Sequence, residues 1–95
     1  MFTFFMFGKY SSESVKHISA GRTKEAQRMI EQLGGKVKEI YALLGEYDLV
    51  MIVQFPNMTD AMKAAVAIGR ATGISFATTA ALPVEEFDAM IAKLP

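Results

Sequence analysis

The chain has 95 residues and no cysteine, which excludes disulfides and thiolate metal sites and predicts one small domain, residues 1–95. Ten basic side chains balance ten acidic ones without any run of like charge, which argues against a nucleic-acid partner. Hydrophobic residues make up 52% of the sequence, more than a small domain is expected to bury, so we expect a homo-oligomer.

The apolar stretch Met1–Phe7 lacks the basic leader and the long hydrophobic region of a signal peptide. No apolar stretch of the chain reaches the length of a membrane span. We therefore expect a cytoplasmic protein with no membrane partner.

The segment Phe2–Lys9 is rich in aromatic residues and apolar on both faces, which predicts a central strand. A helical stripe follows, and Gly21 interrupts it. The interruption predicts either a kink or a short helix followed by a longer one, with Thr23 as a candidate cap for the second. The stripe comprises Val15, Ile18, Arg22, Ala26, Met29, Ile30 and Leu33.

Two further strands are predicted at Lys36–Leu44 and Tyr47–Phe55, after Gly34-Gly35 ends the helix. Between them, Gly45-Glu46 fits a two-residue type II′ turn, which places glycine at its first central position. A hairpin with this turn would pair Tyr41 with Val50, and that register assigns the residues of both strands to faces.

One predicted face of this hairpin is uniformly apolar, includes Tyr47 and should contact the helices. The other mixes apolar and polar side chains, includes Val37, Tyr41 and Asp48, and suits a subunit interface. A one-residue slip in register would exchange the two assignments.

The second half repeats the helix–strand order. Asn57 or Thr59 is expected to cap a helix that Gly73 ends, and Ile74–Leu82 is the fourth predicted strand. Pro83 suits the start of a final helix, which carries an apolar stripe for docking. That stripe comprises Phe87, Met90, Ile91 and Leu94.

The order β-α-β-β-α-β with a C-terminal helix predicts a ferredoxin-like α+β domain, an antiparallel sheet with helices on one face. Two helices cover only one side of a four-stranded sheet, so a second subunit should cover the other. We therefore expect a homodimer or a higher homo-oligomer that forms through the open sheet face.

Motifs spread over nearly the whole chain resemble the GYD domain family, which is named for a Gly-x-Tyr-Asp signature. They are Gly8-Lys9-Tyr10, Arg22, Leu33-Gly34-Gly35-Lys36, Leu44-Gly45-Glu46-Tyr47-Asp48 and Pro83-Val84-Glu85-Glu86-Phe87. The resemblance implies a dimeric α+β barrel-type assembly with sheets packed face to face, and it carries no general activity. Pro56-Asn57 departs from the Pro-Asp common in the family, but either residue can cap a helix.

Asp48 and Tyr47 are the first candidate site residues. Asp48 is either an acid, a base or a ligand acceptor in a pocket, or a structural acceptor for backbone amides near the turn. Tyr47 is either a ligand contact or a packing residue at the sheet edge. Because adjacent strand residues point to opposite faces, the two do not form a shared catalytic pair.

Arg22 lies on or near the inner helix stripe, where it either forms a salt bridge or binds an anionic ligand. Lys9, Tyr10 and Tyr41 are further candidate ligand contacts. His17, the single histidine, is a candidate acid–base residue, although its helical position favours solvent or a partner subunit. No metal or cofactor is expected, since the chain has one histidine, no cysteine and no phosphate-binding glycine pattern.

Two functional hypotheses remain open. The first is a non-catalytic oligomeric module that binds a small, anionic molecule at or near a subunit interface. The second is a cofactor-independent enzyme, similar to an oxygenase or isomerase, that acts on a small organic substrate. The second rests on fold-level analogy alone. A pocket that holds Asp48 would favour the enzyme, and an Asp48 bonded to backbone would favour the module.

Overall fold

A computed structural model describes residues 1–95 and confirms the ferredoxin-like arrangement. The elements in chain order are β1 (Phe2–Lys9), a 3-10 helix (Ser14–His17), α1 (Ala20–Gln32), β2 (Lys36–Ala42), β3 (Leu49–Phe55), α2 (Met58–Thr72), β4 (Ser75–Ala81) and α3 (Val84–Ile91). None of the helices is long and apolar enough to cross a membrane.

The sheet has the strand order β2-β3-β1-β4, and every neighbouring pair is antiparallel. This order places β1 and β3 at the centre, as their apolar character on both faces predicts. Helices α1 and α2 cover one face of the sheet. Successive residues of β1 and β3 point alternately toward this face and away from it. The buried core formed there comprises Phe4, Met6, Ala26, Ile30, Met51, Val53, Phe55, Ala61, Ala64 and Ile68.

The other face of the sheet, hereafter the open face, has no helix against it. It carries the alternate residues of β1 and β3, among them Phe5, Phe7 and Ile52, which are half-buried. These side chains partly cover one another: the ring centroids of Phe5 and Phe7, for example, lie 6.3 Å apart. Val50, which lies between Phe7 and Tyr41 in the sheet, is buried by such neighbours.

The helix boundaries follow from local capping. The chain forms a short 3-10 helix and then a longer α-helix, one of the two arrangements expected, but the break lies before Gly21. Ser19 caps α1 by accepting a hydrogen bond from the Arg22 amide at 3.0 Å, so the expected cap at Thr23 is wrong. Asn57, one of the two expected caps, caps α2, and Gly73 ends it with a φ of 75°, as predicted.

The β2–β3 connection differs from the predicted two-residue turn. The strands end at Ala42 and begin at Leu49, and residues 43–48 form a wider loop closed by a Leu43 amide to Asp48 carbonyl bond of 2.8 Å. The predicted pairing of Tyr41 with Val50 is nevertheless correct, because this register satisfies the apolar pattern of both strands.

Two face assignments from the predicted hairpin are wrong. The Tyr47 ring lies against Phe7 on the open face, with centroids 5.3 Å apart, because the strand alternation begins only at Leu49. A register shift between Val37 and Glu39 pairs Val37 with Val53 and moves it to the helix-covered face, where it packs against the core.

Helix α3 contributes nothing to the buried core, since all of its residues are exposed. Its predicted docking stripe therefore has no docking surface within its own subunit. The molecule measures 53 × 30 × 18 Å along its principal axes, an elongated shape for a chain of this size.

Candidate functional site

A small cavity lies on the helix-covered side of the sheet, between α1, α2 and strands β2 and β3. Its apolar lining comes from Ala26, Ile40, Leu49, Met51, Ile68 and Ile74, and its polar lining from Tyr10, Arg22, Thr23 and Thr72. The volume is about 50 Å³, far below the roughly 300–1,000 Å³ of typical drug-sized sites. Only a small ligand, or a small part of a ligand, would fit.

Arg22 is the charged residue of this cavity. Its Nη1 donates to the Ser14 carbonyl at 2.5 Å, and its guanidinium carbon lies 5.4 Å from the centroid of the Tyr10 ring. No carboxylate lies within ion-pair distance of Arg22, although Lys16, His17 and Arg28 each have a glutamate partner. Arg22 is thus a half-buried cation that is held in place but lacks a counter-charge.

Ser14 supports this arrangement. Its hydroxyl is buried and accepts a bond from the Ser11 amide at 2.7 Å, while its own amide donates to Ser11 Oγ at 3.0 Å. This reciprocal pair fixes the turn before the 3-10 helix, so the Ser14 carbonyl is presented to Arg22 in one position. The Arg22 side chain is therefore held in place by contacts within the protein.

Tyr10 is held by Asp48. The Asp48 carboxylate accepts a hydrogen bond from the Tyr10 backbone amide at 2.8 Å, and the Asp48 amide donates to the Gly8 carbonyl at 2.9 Å. These bonds tie the β2–β3 loop to the end of β1. Asp48 thus has the structural geometry considered above, and it reaches the cavity only through Tyr10.

Gly8 allows close packing beside the cavity. A Cβ atom at this position would lie 2.7 Å from Leu49 Cδ2 and 3.1 Å from Ile74 Cγ2, two side chains of the cavity wall. In the Gly8-Lys9-Tyr10 motif, Gly8 therefore lets Leu49 and Ile74 pack closely against the backbone, and the Tyr10 ring lies beside Arg22.

The structure brings two of the sequence candidates, Arg22 and Tyr10, together at the cavity and leaves the others elsewhere. Tyr41 is exposed on the open face, where Tyr47 also lies, and the Lys9 side chain is exposed. His17 is exposed and its Nε2 lies 3.1 Å from Glu13 Oε1.

Sequence reasoning did not identify Thr23 and Thr72 as cavity residues. The Thr23 hydroxyl donates to the Ser19 carbonyl at 3.3 Å, and the Thr72 hydroxyl donates to the Ile68 carbonyl at 2.6 Å. Nothing in the sequence relates the start of α1 to the end of α2, because their proximity depends on how both helices cross the sheet. The amphipathic pattern of each helix indicates only which side faces inward.

The chemical repertoire of the cavity is limited. No aspartate, glutamate or histidine lines it, and the chain has no group of three or more side chains of the types that ligate metals. A guanidinium beside an aromatic ring, above an apolar lining, can bind and orient a small anion, whereas both threonine hydroxyls already donate to backbone carbonyls. Tyr10 is the one lining side chain of a type that can transfer protons.

Comparison with known proteins agrees with this fold. A family model described as the GYD domain matches residues 4–91. The chain belongs to the GYD domain family. A comparison with curated proteins gives no match.

Several solved structures share the fold at low sequence identity. The leucine response regulatory protein of Mycobacterium tuberculosis has a TM-score of 0.58 and 16% identity, over 86% of this chain and 51% of that one. A feast or famine regulatory protein of M. tuberculosis, complexed with L-methionine, has a TM-score of 0.58 and 14% identity over 87% and 51%. This chain thus spans about half the length of those regulators.

A third structure, that of FFRP-DM1, is similar over its full length. Its TM-score is 0.60 and its identity 24%, with 86% of this chain and 100% of that one covered. At these identities the likeness establishes the fold.

Proposed function

We propose that this GYD domain protein is a non-catalytic homo-oligomeric module that binds a small monoanion with a short apolar tail at the Arg22 cavity. One observation carries the proposal: Arg22 is half-buried and held in place, yet no carboxylate lies within ion-pair distance of it. A guanidinium recognises carboxylates through paired hydrogen bonds, and its remaining N–H groups have no protein partner.

The rest of the cavity supports the same ligand class. Apolar side chains supply most of the lining, so an aliphatic tail would gain free energy by leaving water. The small volume favours a short tail over a nucleotide or an aromatic cofactor. A regulatory protein of the same fold was crystallised with L-methionine, which also joins a carboxylate to an apolar chain.

The oligomeric part of the proposal rests on the open face. Phe5, Phe7 and Tyr47 form an aromatic row there, and such residues often anchor protein interfaces. A second sheet packed against this row would place the β2–β3 loop, and through it Tyr10, close to the subunit interface.

Binding is tested by an NMR titration of the ¹⁵N-labelled protein with isovalerate and, as a neutral isostere, isovaleramide. We expect isovalerate to shift the amide signals of Tyr10, Arg22 and Thr23, and isovaleramide to leave them unchanged. Arg22→Gln should weaken binding about tenfold or more, because a charged hydrogen-bonded pair contributes about 1.5–3 kcal/mol. Arg28→Gln, on the same helix, is the matched control.

If isovalerate and L-methionine at millimolar concentration leave these signals unmoved, the ligand proposal is wrong. Equal binding by the Arg22→Gln variant would also reject it. The assembly is measured separately by light scattering at micromolar concentration. Thr79→Arg on the exposed part of the open face should give a smaller species, whereas Gln32→Arg on the helix side should not.

A further inference from the structure

Helix α3 and helix α2 carry exposed apolar stripes that no part of the subunit covers. On α3, Phe87 is 48% exposed and Ile91 is 44% exposed. On α2, Met62 is 62% exposed and Val66 is 54% exposed. Each pair has helical spacing, so each forms one continuous strip on its helix.

The α2 strip forms one wall of an apolar groove. The groove has a volume of about 310 Å³ and is lined by Phe4, Met58, Ala61, Met62, Ala65, Val66, Phe76 and Thr78. Met62 and Val66 lie about 6 Å apart along α2, and Phe87 and Ile91 about 6 Å apart along α3, given the helical rise of about 1.5 Å per residue. The two strips therefore match in length.

The charges beside the two strips are opposite in sign. Lys63 and Arg70 line a shallow depression on α2 together with Met62 and Val66. Helix α3 carries Glu85, Glu86 and Asp88 and no basic residue. None of these five side chains forms an ion pair within the subunit, although three other pairs are present. This complementarity favours α3 of a second copy as the occupant of the groove.

We propose that α3 is an exchange arm, which docks its Phe87–Ile91 strip into the α2–β4 groove of a second copy of this chain. The second copy is favoured because α3 starts directly after Pro83 and leaves every residue exposed in its own subunit. A reciprocal exchange, in which each arm occupies the other copy's groove, closes with two-fold symmetry and leaves no free strip. This contact is separate from the one proposed at the open face.

The test compares full-length variants by sedimentation velocity over a range of concentrations. Arm variant Phe87→Ser/Ile91→Ser and groove variant Met62→Ser/Val66→Ser should each weaken self-association about tenfold or more, since each removes two apolar anchors. Val15→Ser/Ile18→Ser is the control, because both residues are exposed and apolar but lie outside the arm and groove.

Mixing the arm variant with the groove variant gives the decisive result. One copy keeps an intact groove and the other an intact arm, so the mixture should recover a mixed dimer that neither variant forms alone. A mixture that stays as dissociated as its components would overturn the proposal. So would an arm variant that associates like the wild type, or a wild-type chain whose arm covers its own groove in a concentration-independent monomer.

Charge reversal provides a second measurement that leaves the apolar residues intact. Glu85→Lys/Glu86→Lys should weaken association, and Lys63→Glu/Arg70→Glu in the same chain should restore it. A failure of restoration would count against the proposed pairing. All variants are also made with Thr79→Arg, so that arm docking is measured whether or not the open face forms an interface.

Discussion

On the helix-covered face of the sheet, Met6, Val53 and Phe55 have no accessible surface, whereas on the open face Phe5, Phe7 and Ile52 stay half-exposed. The side chains are similar in kind, and they alternate along the same two strands. What differs is the cover, which α1 and α2 provide on one side only. Burial within the subunit thus stabilises the fold through one face and leaves the apolar side chains of the other partly exposed.

The largest expected effect comes from comparing one phenylalanine on each face. Phe55→Ala should lower the free energy of unfolding by about 3–5 kcal/mol, because it opens a cavity in the core. Phe5→Ala should lower it by only about 1 kcal/mol in dilute solution, since Phe5 is half-exposed. Urea denaturation at low protein concentration measures both. Similar losses for the two variants would show that the faces do not differ in this way.

A pair of glycines sharpens the comparison at the edge of the core. A Cβ atom at Gly35 would lie 2.5 Å from Phe55 Cε1 and 2.9 Å from the Gln54 carbonyl oxygen. Gly35→Ala should therefore destabilise the protein by about 1–3 kcal/mol through overpacking. At Gly21, near the start of α1, a Cβ would meet only Ser19 Oγ, at an ordinary contact distance of 3.9 Å, and Gly21→Ala should stabilise by about 0.5 kcal/mol. In thermal unfolding, the melting temperature should fall for Gly35→Ala and rise for Gly21→Ala, and shifts of the same sign would contradict this prediction.

Asp48 is the last residue of the β2–β3 loop, directly before β3, and its carboxylate joins this loop to Tyr10, just after β1. Asp48→Ala should cost about 1–2 kcal/mol, because the Tyr10 amide loses its charged acceptor. Asp48→Asn keeps an oxygen acceptor and should cost less. Exposed Glu46→Ala is the control and should change stability by less than about 0.5 kcal/mol. A loss at Glu46 as large as that at Asp48 would contradict the anchoring role of the Tyr10 bond.

Features that depend on neighbouring residues were predictable from the sequence. The aromatic run Phe2–Lys9 indicated a central strand, and Asn57 and Gly73 marked both ends of α2. In each case the signal and the structure involve the same few residues, since caps and strand alternation are local effects. The pairing of Tyr41 with Val50 also followed, because a slip would have exposed the apolar face.

The loop at residues 43–48 shows where local reasoning fails. Gly45-Glu46 suited a tight turn, but the chain forms a wider loop, in which Asp48 bonds to Gly8 in β1 and to Tyr10 just after it, both far away in sequence. That contact is unavailable to an isolated hairpin. The predicted turn considered only the two strands it joins, and so placed Tyr47 on the wrong face.

By itself, the sequence determined the order of the elements and the central strands, since these depend on composition and periodicity. Only the tertiary structure decided that Arg22 meets Tyr10 beside Thr72, because three distant segments must cross the sheet at one point. It also decided that no residue of α3 is buried within its own subunit. Periodicity shows that a helix has an apolar side, but the surface that side contacts is set by long-range packing.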